Sequence, residues 1–578
     1  MQKKLEFSRE MPSILIILAV GLALSWRLIF DGYLFTEDAD EHLLWAQQFL
    51  KGLMSGNLYP RWAGDANAGW GNPAFVFFPP FIFYTYAAIS LFTKDVAAMM
   101  SASAVAGLIG SGLAMYVLGR SLLGRAGSAF ASVLYMALPW HLINIYYRTA
   151  MAEFWAFFWL PLILFFASRL GRSGKGSFIG LSVCYAGLIT THLPTALLFT
   201  PFLLAFIAFI FVGQRDMRSL GLRLLALGAG TALSAVFLLP AVMELRHIDM
   251  QDFTSEELAV RSNFLFSTKA IESGAFKGIE WLLRAYERMA LASLLVFLIG
   301  AVSSSKRISG EGPLRAPLRF FAFSGMAAVF MTTPLSLPVW EALAPFHFDK
   351  VQFPVRMLTT AGLFAALSAG GTLHFIGSAH RRKTALSLAL LTALLVNAVL
   401  AGEVLRNFRG FDRSKLSVTA DMSVEMLRKE FAKFRPSGNQ LNNVWGYIPS
   451  SLKFIPTGDW PDVVLRGSGK IEVLGWKPED RLLRVDVPEG GEVLLKTFYF
   501  PGWKAYAGGR PIELRAEPTS GQISFSLPPG LHEVTIRYEG GPWQKAGKFV
   551  SMAAMVFLAG YCLLGKLRYN FLHGKTIS

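Results

Sequence analysis

"AFVFFPPFIFYTYAAISLF", residues 74–92, is apolar and aromatic enough to be read as a membrane crossing, yet Pro79-Pro80 sits in its middle. Whether it crosses decides which side of a bilayer every later loop occupies. Apolar runs recur at 11–30, 95–119, 126–140, 152–168, 177–191, 194–213, 219–240, 289–304, 318–333, 355–378, 384–402 and 548–565. Runs of this kind mark transmembrane helices, about twelve in all. If Lys3 and Lys4 are inside and these runs alternate, every basic cluster stays inside: Arg120/Arg125, Arg169/Arg172/Lys175, Arg215/Arg218/Arg223, Lys306/Arg307/Arg315/Arg319, Arg381/Arg382/Lys383 and Lys566/Arg568. Lys and Arg are retained on the cytoplasmic side. A full crossing by 74–92 would move Arg120 and Arg125 outside. The stretch therefore reads as a re-entrant or interfacial helix on the outer side, which suits its prolines and aromatic residues.

Composition agrees. The chain is 53% hydrophobic and only 16% charged, which a soluble core does not require. The net charge of +16 suggests nucleic acid at first sight. Its confinement to short loops between apolar runs points to a lipid bilayer instead. Cys184 and Cys562 both lie within apolar runs, so no disulfide framework or Cys-based metal site is expected. The first run has no small-residue cleavage site after it and reads as a retained span rather than a signal peptide.

The expected fold is a polytopic α-helical membrane protein with a C-terminal extracytoplasmic β-sandwich. The transmembrane part covers 1–402, with an outer loop at 31–94; an outer, mainly β domain covers 403–547; the last span and a cytoplasmic tail cover 548–578. An amphipathic stretch, "DMSVEMLRKEFAKF" (421–434), precedes the β segments. The β reading rests on period-two alternation in "RLLRVDVPEGGEVLLKTFYF" and "GQISFSLPPGLHEVTIRYEGG" and on the Gly and Pro that punctuate them. Tyr499, Trp503, Tyr506 and Trp543 are read there as sandwich core and interface anchors, ahead of a sugar-stacking platform.

This topology gathers the ionisable motifs on the outer face. "FTEDADEHLLWAQQFLKG" (35–52) carries Glu37, Asp38, Asp40, Glu41 and His42 at the start of an amphipathic helix. Asp38 has the spacing of a capping residue, and it is also placed to act as a base where the chain leaves the bilayer. Asp40 and Glu41 read as solvated. Asp38 and His42 share a helix face and offer two ligands to a divalent cation. "YYRTAMAE" sets Arg148 and Glu153 at an outer mouth, either as a salt bridge or with Arg148 binding phosphate. "THLPT" supplies His192, a hydrogen-bonded loop residue or a ligand contact. "FHFDKVQFPVR" (346–356) concentrates His347, Asp349, Lys350 and Arg356, a density that favours an anion site. Arg61 in "YPRW" and the Gly-rich "GWGNP" shape the first loop, with Arg61 a further phosphate candidate.

"TEDADEHL…GNLYPRW…GWGNPAFVFFPP", "YYRTAMAE", "THLPTAL" and "VQFPVRML" together resemble the bacterial membrane proteins carrying a 6-pyruvoyl-tetrahydropterin synthase-related label, a group similar to the GT-C membrane glycosyltransferases. "YFPGWKAYAGGRPIE…GQISFSLPPGLHEVTIRY" resembles the outer β-domain of large bacterial relatives in envelope glycosylation. The soluble pterin synthase binds zinc through a His cluster, and this sequence carries none. The resemblance implies a GT-C body in the bacterial cytoplasmic membrane, and the alternation of spans from Lys3 and Lys4 puts both termini inside. It implies a polyprenyl-phosphate sugar donor and an envelope glycan or protein acceptor. Asp38 is the position matching the acid of the first outer loop, as base or metal ligand, with Asp40 its rival. Arg148 and Arg356 would neutralise the departing lipid phosphate. The cofactor is left open, with Mg2+ or Mn2+ the candidates. A lipid-linked-sugar flippase or an assembly scaffold on a degenerate GT-C body is the alternative. A transporter should carry ionisable residues in mid-span, which these runs nearly lack.

Overall fold

The computed structural model describes residues 2–32, 39–249, 255–274, 276, 279–305, 312–376, 381–407, 419, 422, 426, 447, 449–452 and 460–572. The protein is a bundle of apolar helices capped at one end by two antiparallel β-sheets. Asp38 and most of 421–434 fall outside the described residues.

Helix α1 (Gln2–Leu24) leads towards the first loop, which carries α2 (Ala39–Met54). The stretch 74–92 folds as two short helices, α3 (Ala74–Phe77) and α4 (Phe81–Ile89). Pro79 and Pro80 separate them, because proline donates no backbone N–H and disfavours helix in the residue before it. At nine residues, α4 is about 14 Å long, half of a ~30 Å hydrocarbon core. It packs against α2, α5 (Val96–Leu122) and α8 (Met151–Thr191). Between the last two come α6 (Arg125–Ala137) and α7 (Pro139–Tyr146), which together are long enough for one crossing.

Helix α8 carries 41 residues but folds back on itself: Trp159 Nε1 donates to Thr191 Oγ1 at 2.8 Å and Phe166 lies against Gly180, so its two halves run antiparallel, each about one crossing long. Gly174 divides it, with φ of +59°, outside the range of a right-handed helix. Then follow α9 (Leu193–Gln214), α10 (Met217–Leu233) and α11 (Ala235–Met243), the last two meeting at a 71° bend. After α12 (Glu280–Ser303), α13 (Arg315–Phe330) turns by 95° into the segment 334–346. Helices α14 (Met357–Ile376), α15 (Arg381–Asn407) and α16 (Pro542–Leu572) complete the bundle. Seven helices among the described residues have the length and apolarity to cross a membrane, and up to nine if each bent pair is one span. The other three of the twelve expected spans fall on α1, the second half of α8 and α14, which do not meet both criteria over their described residues.

Close helix contacts depend on small residues, as is usual where lipid replaces water. Gly127 of α6 and Gly370 of α14 meet backbone to backbone: a Cβ on either would come within 2.7 or 2.6 Å of the other's carbonyl oxygen.

The two ends of the bundle differ in charge. At one end Arg120 and Arg125 pair with Glu10, Lys175 donates to the Tyr561 carbonyl, and Arg315 donates to the Ser304 carbonyl. At the other end lie the β-sheets. Strands β1 (Val463–Arg466), β4 (Gly491–Phe498), β8 (Gln522–Leu527) and β7 (Arg515–Ala516) form one sheet in the order β1-β4-β8-β7. Strands β2 (Lys470–Lys477), β3 (Asp480–Val487), β9 (Gly530–Tyr538), β5 (Trp503–Ala507) and β6 (Arg510–Ile512) form the other in the order β2-β3-β9-β5-β6. The alternation read from the sequence is visible in β3, where Leu483, Val485 and Val487 are buried and Arg484 and Asp486 are exposed.

The β-domain core is not self-contained. Trp62, Trp70, Val76 and Phe77 of the first loop and Ile248 belong to the same cluster as Val485, Val493, Phe500 and Trp503. Trp70 stacks on Phe498 at 5.3 Å, and Trp62 packs edge-on to Trp503. Trp503, expected as core rather than platform, is buried.

Candidate functional site

Helix α7 ends in a tight turn at 147–150, where Thr149 has φ of +54° and the Ala150 N–H donates to the Asn144 carbonyl. That turn throws Arg148 back across the start of α8. Its Nη1 donates to Asn144 Oδ1 at 2.7 Å and to Glu153 Oε2 at 3.0 Å. Its guanidinium lies over the Trp140 ring, 5.3 Å from the centroid. Glu153 stands in the first turn of α8, where a negative charge suits the helix dipole. It is 1% exposed. Thr359 of α14 donates to Glu153 Oε1 at 3.1 Å and accepts from Trp140 Nε1 at 2.8 Å.

A second guanidinium arrives from 200 residues later in the chain. The turn Pro354–Arg356 ahead of α14 places Arg356 Nε 3.7 Å from Glu153 Oε2, while Arg356 Nη1 donates to the Val351 carbonyl at 2.8 Å. His192, between α8 and α9, caps α9 by accepting from the Thr195 N–H and lies within electrostatic reach of Glu153, Arg356 and Arg148. Two fixed positive charges therefore face one negative charge in a nearly water-free setting. Such a surplus attracts an anion, and two guanidinium forks suit phosphate oxygens.

Tyr447 ties this cluster to the start of α2. Its ring stacks on Phe77 at 5.5 Å and leans on Trp45, and its hydroxyl feels the charges of both Glu41 and Arg356. Burial pushes the phenol up to about 12, so it stays protonated. The described residues thus place the acid-rich helix beside the arginines. His42 is buried there, edge-on to Trp45 and Phe78. Ala39 begins this helix, Asp40 is its second residue, and Asp38 directly precedes it in the sequence.

The remaining expected residues go elsewhere. Arg61 donates to the Val236 carbonyl at 2.7 Å and covers the Tyr59 ring, joining the first loop to α11. Asp349 and Lys350 pair with each other at 3.0 Å and line a separate cavity of about 310 Å3 with Arg261, Trp340 and Glu341. His347 turns the chain just before them, with φ of +66°.

Among the described residues, which do not include Asp38, no group of three or more His, Cys, Asp or Glu stands together. The one carboxylate of the cluster is already engaged by two guanidiniums.

Residues 75–405, more than half of the chain, match the model of a membrane-protein family described as 6-pyruvoyl-tetrahydropterin synthase related. The chain belongs to that family. The matched segment of this pterin-synthase-related protein takes in Arg148, Glu153, His192 and Arg356 and stops short of α2 and both β-sheets. No curated protein matches the sequence. Among solved structures, the protein is similar to the arabinofuranosyltransferase AftD from mycobacteria, with 15% identity and a TM-score of 0.42 over 68% of this chain and 26% of that one. It is similar to the oligosaccharyltransferase of Archaeoglobus fulgidus, with 12% identity and a TM-score of 0.45 over 70% of this chain and 57% of that one. It is also similar to ArnT from Cupriavidus metallidurans, solved bound to undecaprenyl phosphate, with 12% identity and a TM-score of 0.30 over 63% and 78%. The chain thus spans about a quarter of the mycobacterial protein and little more than half of the archaeal one.

Several residues of this site went unread in the sequence. Asn144 stands four residues before Arg148, a helical spacing that gives a local signal. Thr359, Trp140 and Tyr447 join through long-range packing and give none.

Proposed function

We propose that the protein is a membrane glycosyltransferase of the GT-C kind, moving a sugar from a polyprenyl-phosphate donor to a cell-envelope acceptor at the outer face of the cytoplasmic membrane. The observation that carries this reading is the convergence of Arg148 and Arg356 on buried Glu153, beside the start of the acid-rich α2. The donor phosphate sits against the two guanidiniums. A carboxylate at the start of α2, Asp38 or its rival Asp40, takes the proton from an acceptor hydroxyl. That oxygen attacks the anomeric carbon, the bond from this carbon to the phosphate oxygen breaks, and the lipid phosphate leaves with its electron pair. Arg148 and Arg356 stabilise the charge that grows on it. Glu153 holds the two arginines in place. Nucleotide sugars are made in the cytoplasm, and the basic loops at the far end of the bundle support a cytoplasmic location for that end. A lipid-carried donor fits the opposite face.

The test compares lipid-linked sugars and envelope glycans by mass spectrometry in cells with the wild-type gene, with none, and with Arg356→Gln. Loss of the gene accumulates an unconsumed lipid-linked sugar and removes one glycan feature. Arg356→Gln reproduces that pattern with transfer lowered by about 10²-fold. Identical glycans in all three strains would rule the reading out.

A further inference from the structure

The turn between β2 and β3 does more than join two strands. Glu479 within it reaches into the first loop, where its carboxylate accepts from Asn57 Nδ2, from the Arg61 N–H and, at 2.9 Å, from the Trp62 N–H. Beside it, Gly64 passes so close to Pro478 that a Cβ there would lie 3.0 Å from the Pro478 Cα. The loop so held is fastened to α2 at three points. Lys51 pairs with Asp65 at 2.6 Å, Gln48 accepts from the Asp65 N–H at 3.0 Å, and Pro60 lies against Gly52, where a Cβ would meet its ring at 2.6 Å. Asn57 adds an Asx turn by accepting from the Tyr59 N–H. Contact thus runs unbroken from the β-domain through 57–65 to α2, whose other end adjoins Tyr447 and Arg356.

We infer that Glu479 is a positioning residue: it clamps the first loop to the β-domain and thereby fixes α2, and the carboxylates at its start, against the Arg148–Glu153–Arg356 cluster. Helix α2 has 16 residues, about 24 Å, so a 10° tilt at its C-terminal end would move its start by about 4 Å. Transfer chemistry is sensitive to about 1 Å. The β-domain on this account is part of the catalytic frame rather than a tethered appendage. The inference rests on the transferase reading for its consequence but not for its geometry.

The test uses the full chain in lipid nanodiscs, with Cys562→Ser to remove the exposed thiol. Hydrogen exchange is followed at 39–44 and 57–65 in wild type, Glu479→Ala, Glu479→Gln, and Glu479→Ala combined with Gly64→Cys and Pro478→Cys. A Cβ built on Gly64 would lie 3.2 Å from the Pro478 Cβ, about 0.6 Å short of the ~3.8 Å disulfide spacing, so the pair closes once the two segments part by that amount. Glu479→Ala should speed exchange about tenfold or more in both segments. Glu479→Gln, which keeps an acceptor oxygen for the Arg61 and Trp62 N–H groups, should stay within about threefold of wild type. The oxidised cysteine pair should restore slow exchange. In the transfer assay, Glu479→Ala lowers kcat about tenfold with donor KM little changed, and oxidation of the pair recovers it. Unchanged exchange at 39–44 in Glu479→Ala, or a formed disulfide that fails to restore it, overturns the inference. Absent transfer in wild type removes the enzyme reading and leaves the exchange result to decide the clamp.

Discussion

Glu153 is the residue on which the cluster turns. Both guanidiniums approach Oε2, and Thr359 completes Oε1. Glu153→Gln leaves two half-buried cations facing each other without a counter-charge. Removing one partner of a buried ion pair costs about 3–5 kcal/mol. The expected outcome is a lower melting temperature in detergent, with inorganic phosphate raising it more in the variant than in wild type. Arg148 and Glu153 could be read together from their spacing in one short motif. Arg356 could be read only as a charge near an apolar run, because its approach to Glu153 is set by how α14 packs across α7 and α8. Glu479 makes the docking of the first loop sensitive to pH. Burial outweighs the N–H donors and pushes its carboxyl from 4.5 up to about 7. Arg61, Arg481 and Tyr538 feel its charge, and Lys477, Asp480, Arg537 and Glu539 line the same cleft. A raised carboxyl contributes fully to docking below 4.5, and that contribution fades as pH climbs towards 7, a change of roughly 3 kcal/mol. Exchange at 57–65, corrected for its intrinsic pH dependence, should therefore be faster at pH 8 than at pH 5, and Glu479→Gln should flatten the difference.

Between elements, the tightest constraint is the crossing of α6 and α14 at Gly127 and Gly370. A Gly370→Val side chain would meet the Gly127 carbonyl and the Ala131 Cβ, which lies at 3.0 Å. Backbone atoms cannot swing aside, so the helices must part, at a cost of about 1–3 kcal/mol. Thermal unfolding in detergent should report that loss, whereas Gly124→Ala, which opens onto empty space, should not. Local signals announced such elements well. The proline pair that divides 74–92 and the period-two pattern of β3 are both properties of a few adjacent residues. Long-range partnership is different. Nothing near Trp62 in the sequence announces that its ring packs beside Trp503 and Tyr538, more than 400 residues on. The runs 152–168 and 177–191, read as two spans, form the two antiparallel arms of α8, which turns back at Gly174.

For the whole molecule, the separation of its two ends is the property from which function would follow. From Glu153 to Gly174, α8 covers 21 residues, about 32 Å, close to a ~30 Å hydrocarbon core. From Pro542 to Tyr561, α16 covers a similar distance, beginning beside the β-sheets and ending against Lys175. The carboxylate cluster and the basic loops therefore stand about one bilayer apart. Short basic loops nearly free of acids at one end, against mixed charge at the other, set the expected orientation, basic end inside. Two single cysteines read it directly in a chain carrying Cys562→Ser: Gly124→Cys, in open space at the start of α6 beside Arg125, and Glu489→Cys, exposed in the β3–β4 turn. On intact cells freed of any outer barrier, a membrane-impermeant maleimide should label position 489 alone. After permeabilisation both should react. Labelling of position 124 from outside, with 489 protected, would invert the molecule and place the arginine cluster among cytoplasmic nucleotides, where a lipid-carried donor would no longer be needed.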